Sequence, residues 1–221
     1  LAKLHFGKER IYNYLFLNRK ALEEAELAAK YSLKAEHWNN YARALMDQSD
    51  NYLILNETIN GSQLLNYEKA DSCLRIVESK WDYISQNRKN DWFYSSILLQ
   101  VRKGQTRDLL SHIDKYQYLT DTNPQTIEWS TLAQAYQALG MMSEMQEAID
   151  KGRIYGQHIG REALIYYILQ EDISFKENDY KTAYENLKDY VKLSNTMNWD
   201  IFNHETQFLE ERFQNELNQS K

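Results

Sequence analysis

Cysteine, proline and glycine are scarce in this chain of 221 residues, which has one Cys, one Pro and seven Gly. One Cys excludes a disulfide framework and any cysteine-rich zinc site. Hairpins, Greek keys and βα loops use Gly or Pro at nearly every connection, so their scarcity argues against all-β and doubly wound folds. An excess of positive charge is missing as well. The 26 Lys and Arg are outnumbered by 32 Asp and Glu, which gives a net charge of −6 at pH 7 and a pI near 5.5. A net negative chain is repelled by phosphate backbones. The densest basic step, Arg88-Lys89, runs straight into Asn90-Asp91, so this segment is not expected to bind nucleic acid directly. No apolar run approaches the ~18 residues that a spanning helix needs, and the mean hydropathy is −0.73. The first residue is Leu, not Met, which is expected of a processed or trimmed chain and leaves the compartment open.

Aromatic residues and helical periodicity are plentiful. Seventeen Tyr, seven Phe and five Trp make the chain 13% aromatic, which excludes a disordered tail. The length suits one large domain or two small ones. Apolar residues recur at helical spacing almost throughout. Leu4, Ile11 and Leu15, then Leu22, Leu27 and Leu33, predict two helices that break near Asn18-Arg19. A helix over 37–56 carries Trp38, Tyr41, Ala42 and Leu45 on one face, and Asn60-Gly61-Ser62 then reads as a turn. A helix over 63–79 carries Leu64, Tyr67, Ala70, Leu74 and Val77. Residues 85–90 read as a polar connection, and 91–102 as a helix stopped by Lys103-Gly104. Further helices are expected over 106–119, from Pro124 to Leu139, over 142–155, 161–176 and 180–194, and about 200–218. Short loops between them force antiparallel neighbours.

The segment 126–152 decides between a bundle and a stack. Trp129, Leu132, Ala133 and Tyr136 stand at steps of three, one and three, and Gly140 follows four residues on. This resembles the first helix and turn of a tetratricopeptide repeat (TPR), where a small residue lets the partner helix approach and large ones fill the gaps around it. Met145, Ile149 and Gly152 occupy the second-helix positions, with Met145 a departure from the small residue of the family. Fainter echoes appear at Asn66-Tyr67-Glu68-Lys69-Ala70, at Asn178-Asp179-Tyr180-Lys181-Thr182-Ala183, at Leu17 to Ala25 and at Lys103 to Leu109. With Ala25, Ala70, Leu109, Met145 and Ala183 taken as equivalent, the spacings are 45, 39, 36 and 38, against a family period of ~34. The resemblance implies an all-α, right-handed superhelical solenoid of about five helical hairpins over 1–194, with a capping or linker helix in 195–221. Such hairpins cannot bury an apolar face alone, so each must be covered by its neighbours. In the last helix, Phe202, Leu209, Phe213 and Leu217 make a narrow stripe that suits a cap or a coiled-coil seam. That helix reaches Lys221 with no stop signal, and continuation is expected.

Catalytic signatures are wanting. The chain has no GxSxG, no phosphate-binding Gly-rich loop, no GxGxxG and no HExxH. No catalytic residue, metal ligand or cofactor is nominated. Cys73 sits on an apolar helix face with no His nearby in sequence, as a buried structural thiol would. His158 and Glu162 stand four apart, but Gly160 lies between them and no third ligand is evident, so they read as surface residues. Asp108 with Asp114, and Glu210 with Glu211, are acid pairs in sequence only. Trp38, Trp92 and Trp129 fall at or near the start of first helices, as core residues.

If the repeat register holds, first helices line a groove, and its candidate residues are Asn39, Arg43, Gln134, Gln137, Tyr167 and Glu171. This mix lacks the Lys and Asn ring with which TPR domains clamp a C-terminal carboxylate. The expected partner is a protein or peptide and the expected role non-catalytic. Ala183 to Leu193, followed by Phe208-Leu209-Glu210-Glu211-Arg212-Phe213, resembles the end of the sensor region in Bacteroidetes-type TPR regulators. That likeness implies the input module of a bacterial signalling or regulatory protein, and favours an extracytoplasmic (periplasmic) setting over a cytoplasmic one. Two alternatives stand beside it. One is a cytoplasmic peptide-pheromone-binding regulator domain of the Gram-positive type. The other is an enzyme on a helical scaffold, which requires a buried cluster of titratable residues with shifted pKa values; the sequence offers no reason to expect one.

Overall fold

A computed structural model describes residues 1–15, 17–58, 63–120, 127–156 and 161–198 of the chain. These residues are all-helical, with no strand among them. The helices are α1 (Ala2–Tyr14), α2 (Asn18–Lys34), α3 (Trp38–Thr58), α4 (Gln63–Glu78), α5 (Gln86–Lys103), α6 (Leu109–Thr120), α7 (Trp129–Leu139), α8 (Met142–Ile154) and α9 (Arg161–Lys176). A short 3-10 turn, Trp81–Tyr83, precedes α5, and residues 180–198 form α10. The helix α10 runs through 194 and 195 without a break. The expected turn at Asn60-Gly61-Ser62, the stop at Asp121 to Pro124, the pair His158 and Glu162, and the helix over 200–218 lie outside the described residues.

Local chemistry sets most of the boundaries. Gly104 and Gly140 end α5 and α7 in the left-handed region, at φ 65° and 72°, where only glycine carries no steric penalty. Asn178 does the same after α9, at φ 65°. Asp179 then opens α10, its Oδ1 accepting the Thr182 N–H at 3.2 Å, which satisfies a free donor of the first turn.

One expectation from the sequence is corrected. Residues 86–90 are the first turn of α5, not a connection. Their polarity fits the start of a helix whose N-cap residue, Ser85, is tied by its backbone N–H to Asn39 Oδ1 at 2.7 Å. The two helices expected from Leu4, Ile11 and Leu15 and from Leu22, Leu27 and Leu33 are present as α1 and α2, with Leu4, Ile11, Leu27 and Leu33 exposed. The first hairpin packs through Ala21, Ala25, Ala28 and Ala29 on α2, whose short side chains let α1 and α3 come close.

Consecutive helices from α1 to α8 pack on one another in order. In addition α3 packs on α5, α5 on α7 and α7 on α9. Helices α3, α5, α7 and α9 therefore form a series of neighbours. Ala25, Ala70, Leu109, Met145 and Ala183 all lie on the even helices, and none is more than 4% exposed. The main core runs from Ala42 to Ile173 through α3, α4, α5, α6, α7, α8 and α9. At its centre Trp92 meets Trp81 and Phe93 edge to face, and its indole N–H donates to the Leu74 carbonyl at 3.0 Å. Trp129 is buried as well, while Trp38 packs half-buried against this core.

Candidate functional site

The odd-numbered helices are joined by a row of polar contacts. Glu9 on α1 meets Asn51 and Arg43 on α3. Asp50 on α3 hydrogen-bonds Ser95 on α5, and Tyr94 on α5 hydrogen-bonds Thr131 on α7. Gln137 on α7 donates to Asp172 Oδ2 on α9 at 3.0 Å. An apolar seam would hold the same helices together, so this row spends polar groups where packing does not demand them.

The row is densest where α1, α3 and α5 meet. Glu9 is buried there, accepting a hydrogen bond from the Asn13 amide. Arg43 lies over the Phe6 ring at 4.4 Å and reaches Asp47 with Nε at 3.5 Å. Arg88 pairs with Asp91. Asp47 is about a quarter exposed and Asp91 nearly half, at 24% and 46%, so the cluster has a buried floor and an open rim. Burial pushes all four carboxyls up. Asp50 rises to about 8, with Asp47, Asp91 and Glu9 adding repulsion against the relief from Ser95. Asp47 rises to about 7, with Glu9 repelling it and Arg43 and Arg88 opposing. Glu9 and Asp91 rise despite their arginine neighbours. This is a buried cluster of titratable groups with shifted pKa values, the feature that the enzyme alternative requires. Among the described residues no three His, Cys, Asp or Glu side chains are placed to hold a metal ion.

The residues nominated from sequence fall on both sides of this cluster. Asn39 is committed to the Ser85 N–H and Arg43 to the cluster itself. Gln134 turns back to the Ser130 carbonyl at 3.2 Å. Gln137 reaches Asp172, whose burial would raise its carboxyl, but hydrogen bonds from Lys176 and Gln137 leave it below the usual range. Tyr167 and Glu171 sit half-buried on α9. Asn39 and Arg43 on α3 are separated from the other four by α5, which contributed no candidate. The acids Glu9, Asp47, Asp50 and Asp91 were missed. A signal was available, because Asp47-Gln48-Ser49-Asp50-Asn51 is a polar run inside a helix whose flanks are apolar.

Two clefts open elsewhere. One, of 620 Å³, lies between α4, α5 and α6 and is floored by Leu74, Trp92 and Leu99. In it Ser96 Oγ is 3.0 Å from His112 Nδ1, and Gln100 Nε2 is 2.6 Å from the same nitrogen. Burial holds His112 below its ordinary pKa, with Lys115 adding to the effect, which favours the neutral ring. With the Gln100 amide on Nδ1, that nitrogen is a poor acceptor for a serine proton. The other cleft, of 470 Å³, lies between α6, α7 and α8 around Trp129, Tyr136 and Lys151. Cys73 is buried, and burial with Glu26 nearby pushes its thiol up to about 11, which suits a structural thiol rather than a nucleophile.

Searches against protein-family models, curated proteins and solved structures found no match to this chain.

Proposed function

We propose that the chain is a non-catalytic, peptide- or protein-binding scaffold of the TPR type. In this reading it is the input module of a bacterial signalling or regulatory protein. One observation carries the proposal. The odd-numbered helices pack side by side from α3 to α9, and the polar row crosses all of them. Stacked hairpins whose alternate helices stand in a row are the arrangement that repeat proteins use to bind extended partners, along the surface those helices share. The equivalence of Ala25, Ala70, Leu109, Met145 and Ala183 supports the same reading, since all five are enclosed despite spacings that wander from the family period. The acid cluster on this face is a recognition feature in this account. Its carboxyls are tied to arginine, asparagine and serine partners.

The test is selection of binders from a random phage-displayed peptide library, with the bound surface mapped by amide chemical-shift changes. Shifts centred on Arg43, Asp91 and Gln134 are expected, and the double variant Arg43→Ala, Gln134→Ala weakens binding at least tenfold. Shifts confined to the cleft around His112 or the cleft around Trp129 would overturn the proposal.

A further inference from the structure

We infer that the cleft between α4, α5 and α6 is a site for a short free peptide, about four residues long, held by both of its charged ends. This goes beyond the scaffold reading and does not rest on it, because no residue of the polar row lines this cleft.

The space exists because of how the helices pair. Helix α4 packs on α3 and α5, and α6 packs on α5 and α7, which leaves 620 Å³ over one face of α5. That volume is in the range of small-molecule sites, where an apolar floor meets a few convergent polar groups. Leu74, Trp92 and Leu99 are the floor, each no more than 8% exposed. The polar groups are Ser96, Gln100 and His112. Gln100 spends one amide N–H on Ser96 Oγ at 3.2 Å and the other on His112 Nδ1 at 2.6 Å. Its Oε1 is left as an acceptor. Since Nδ1 accepts, the neutral ring carries its proton on Nε2, which is left as a donor. Neither atom has a hydrogen-bond partner among the described residues, and neither is shut away from water. One acceptor beside one donor complements a residue of extended peptide, whose own N–H and C=O point to the same side.

Charge distinguishes the two ends of the cleft. Where α5 stops, Lys103 and Arg107 have no ion-pair partner among the described residues. Asp108 offsets one of them, so this end carries a single positive charge. At the opposite end Glu78 closes α4, one turn beyond the Leu74 carbonyl that takes the Trp92 indole N–H. Between the ends Asp71 and Arg75 pair with each other at 2.5 Å and cancel. From Trp92 to Lys103 the helix rises about 16 Å, the reach of about four or five extended residues. A dicarboxylate or a diamine would meet repulsion at one end. A single amino acid would be too short to reach both. A free peptide brings an ammonium, a carboxylate and peptide groups between them.

The probe is the tetrapeptide Ala-Leu-Leu-Ala with free ends, beside its acetylated, amidated and doubly blocked forms and a twelve-residue peptide of the same composition. Calorimetry on the full chain gives affinity, and amide chemical shifts give the place. The free tetrapeptide is expected to bind with shifts at Ser96, Gln100, Lys103 and His112. Amidation and lengthening are each expected to weaken binding at least tenfold, and acetylation at least fivefold. Lys103→Gln is expected to weaken the free peptide at least fivefold but the amidated one less than twofold. Glu78→Gln should discriminate in the same way between the free and acetylated forms. That coupling reads recognition of an end, since a merely structural role would weaken every form alike. Equal losses for free and blocked peptides in both variants would overturn the proposal. So would a doubly blocked peptide as tight as the free one, or no binding at millimolar concentration. These failures leave the scaffold reading standing, because phage-displayed peptides are tethered at one end and cannot offer both charges. Shifts from the free tetrapeptide on α3 and α7, with none around His112, would overturn the cleft and support the scaffold.

Discussion

At the scale of single residues, the informative groups are those held against their ordinary chemistry. Asp50 keeps its proton to about 8, against an ordinary value of 3.8. The sign of the consequence follows from which state holds the proton. Between those two pH values the unfolded chain has lost a proton that the folded chain keeps, so unfolding releases one. Stability from this group is therefore whole below pH 3.8, falls as the pH climbs, and levels off above 8. Asp47, raised to about 7, works in the same direction. Asparagine at position 50 cannot ionise. Urea midpoints of Asp50→Asn and the parent chain should lie close together at pH 4 and separate by pH 8, with the variant more stable there. Parallel curves across that range would show that Asp50 ionises freely in the folded chain.

At the scale of elements, packing between hairpins depends on small residues at fixed places. A Cβ built at Gly152 on α8 would stand 1.9 Å from Tyr166 Oη and 2.6 Å from Cζ on α9, and Tyr166 is itself buried. Alanine favours a helix over glycine by about 1 kcal/mol, whereas overpacking costs about 1–3 kcal/mol. Gly152→Ala is expected to lose about 1 kcal/mol net in urea unfolding. Adding Tyr166→Phe should recover part of it, since the ring stays close after the hydroxyl is gone. A single variant more stable than the parent would mean that α9 moves away at no cost. This position was legible in the sequence, because Gly152 stands where the repeat pattern places a small residue. So were the stops at Gly104 and Gly140, where the backbone requires a positive φ. The start of α5 was not, since Ser85 to Asn90 are polar and the contact that organises them, from Asn39, is 46 residues away in sequence. The face of α2 was legible at Ala25, which the repeat comparison placed with the other enclosed residues. A stripe of alanines carries its packing, and leucines at equally good spacing point outward. The acid cluster stayed hidden for a related reason. Spacing reveals which residues share a helix face, but which helix meets that face is decided only by the order of packing.

At the scale of the whole molecule, contacts run mainly between neighbours, so stability should be graded along the chain instead of uniform. The centre and the far end differ sharply in what they bury. On α7, Trp129, Leu132, Ala133, Ala135 and Tyr136 are all buried. On α10, Tyr180, Tyr184, Leu187 and Val191 are exposed, and Ala183 is buried. Exposed backbone hydrogen bonds over few buried contacts open at low free energy. In native-state hydrogen exchange, amides of 180–198 are therefore expected to exchange at least a hundredfold faster than those of α5 and α7. Protection should fall again toward α1, whose outer face carries Leu4 and Ile11 into solvent. The order of protection distinguishes this arrangement from a closed bundle. In a bundle every helix touches one shared core, and the slow amides would be spread over all helices and lost together. Here the packing of α3 on α5 and of α5 on α7 places the slowest exchange in the middle helices, with opening that proceeds inward from both ends as denaturant is raised. A single cooperative loss of protection from α1 to α10 would refute the stacked arrangement, and with it the groove on which the binding proposal depends.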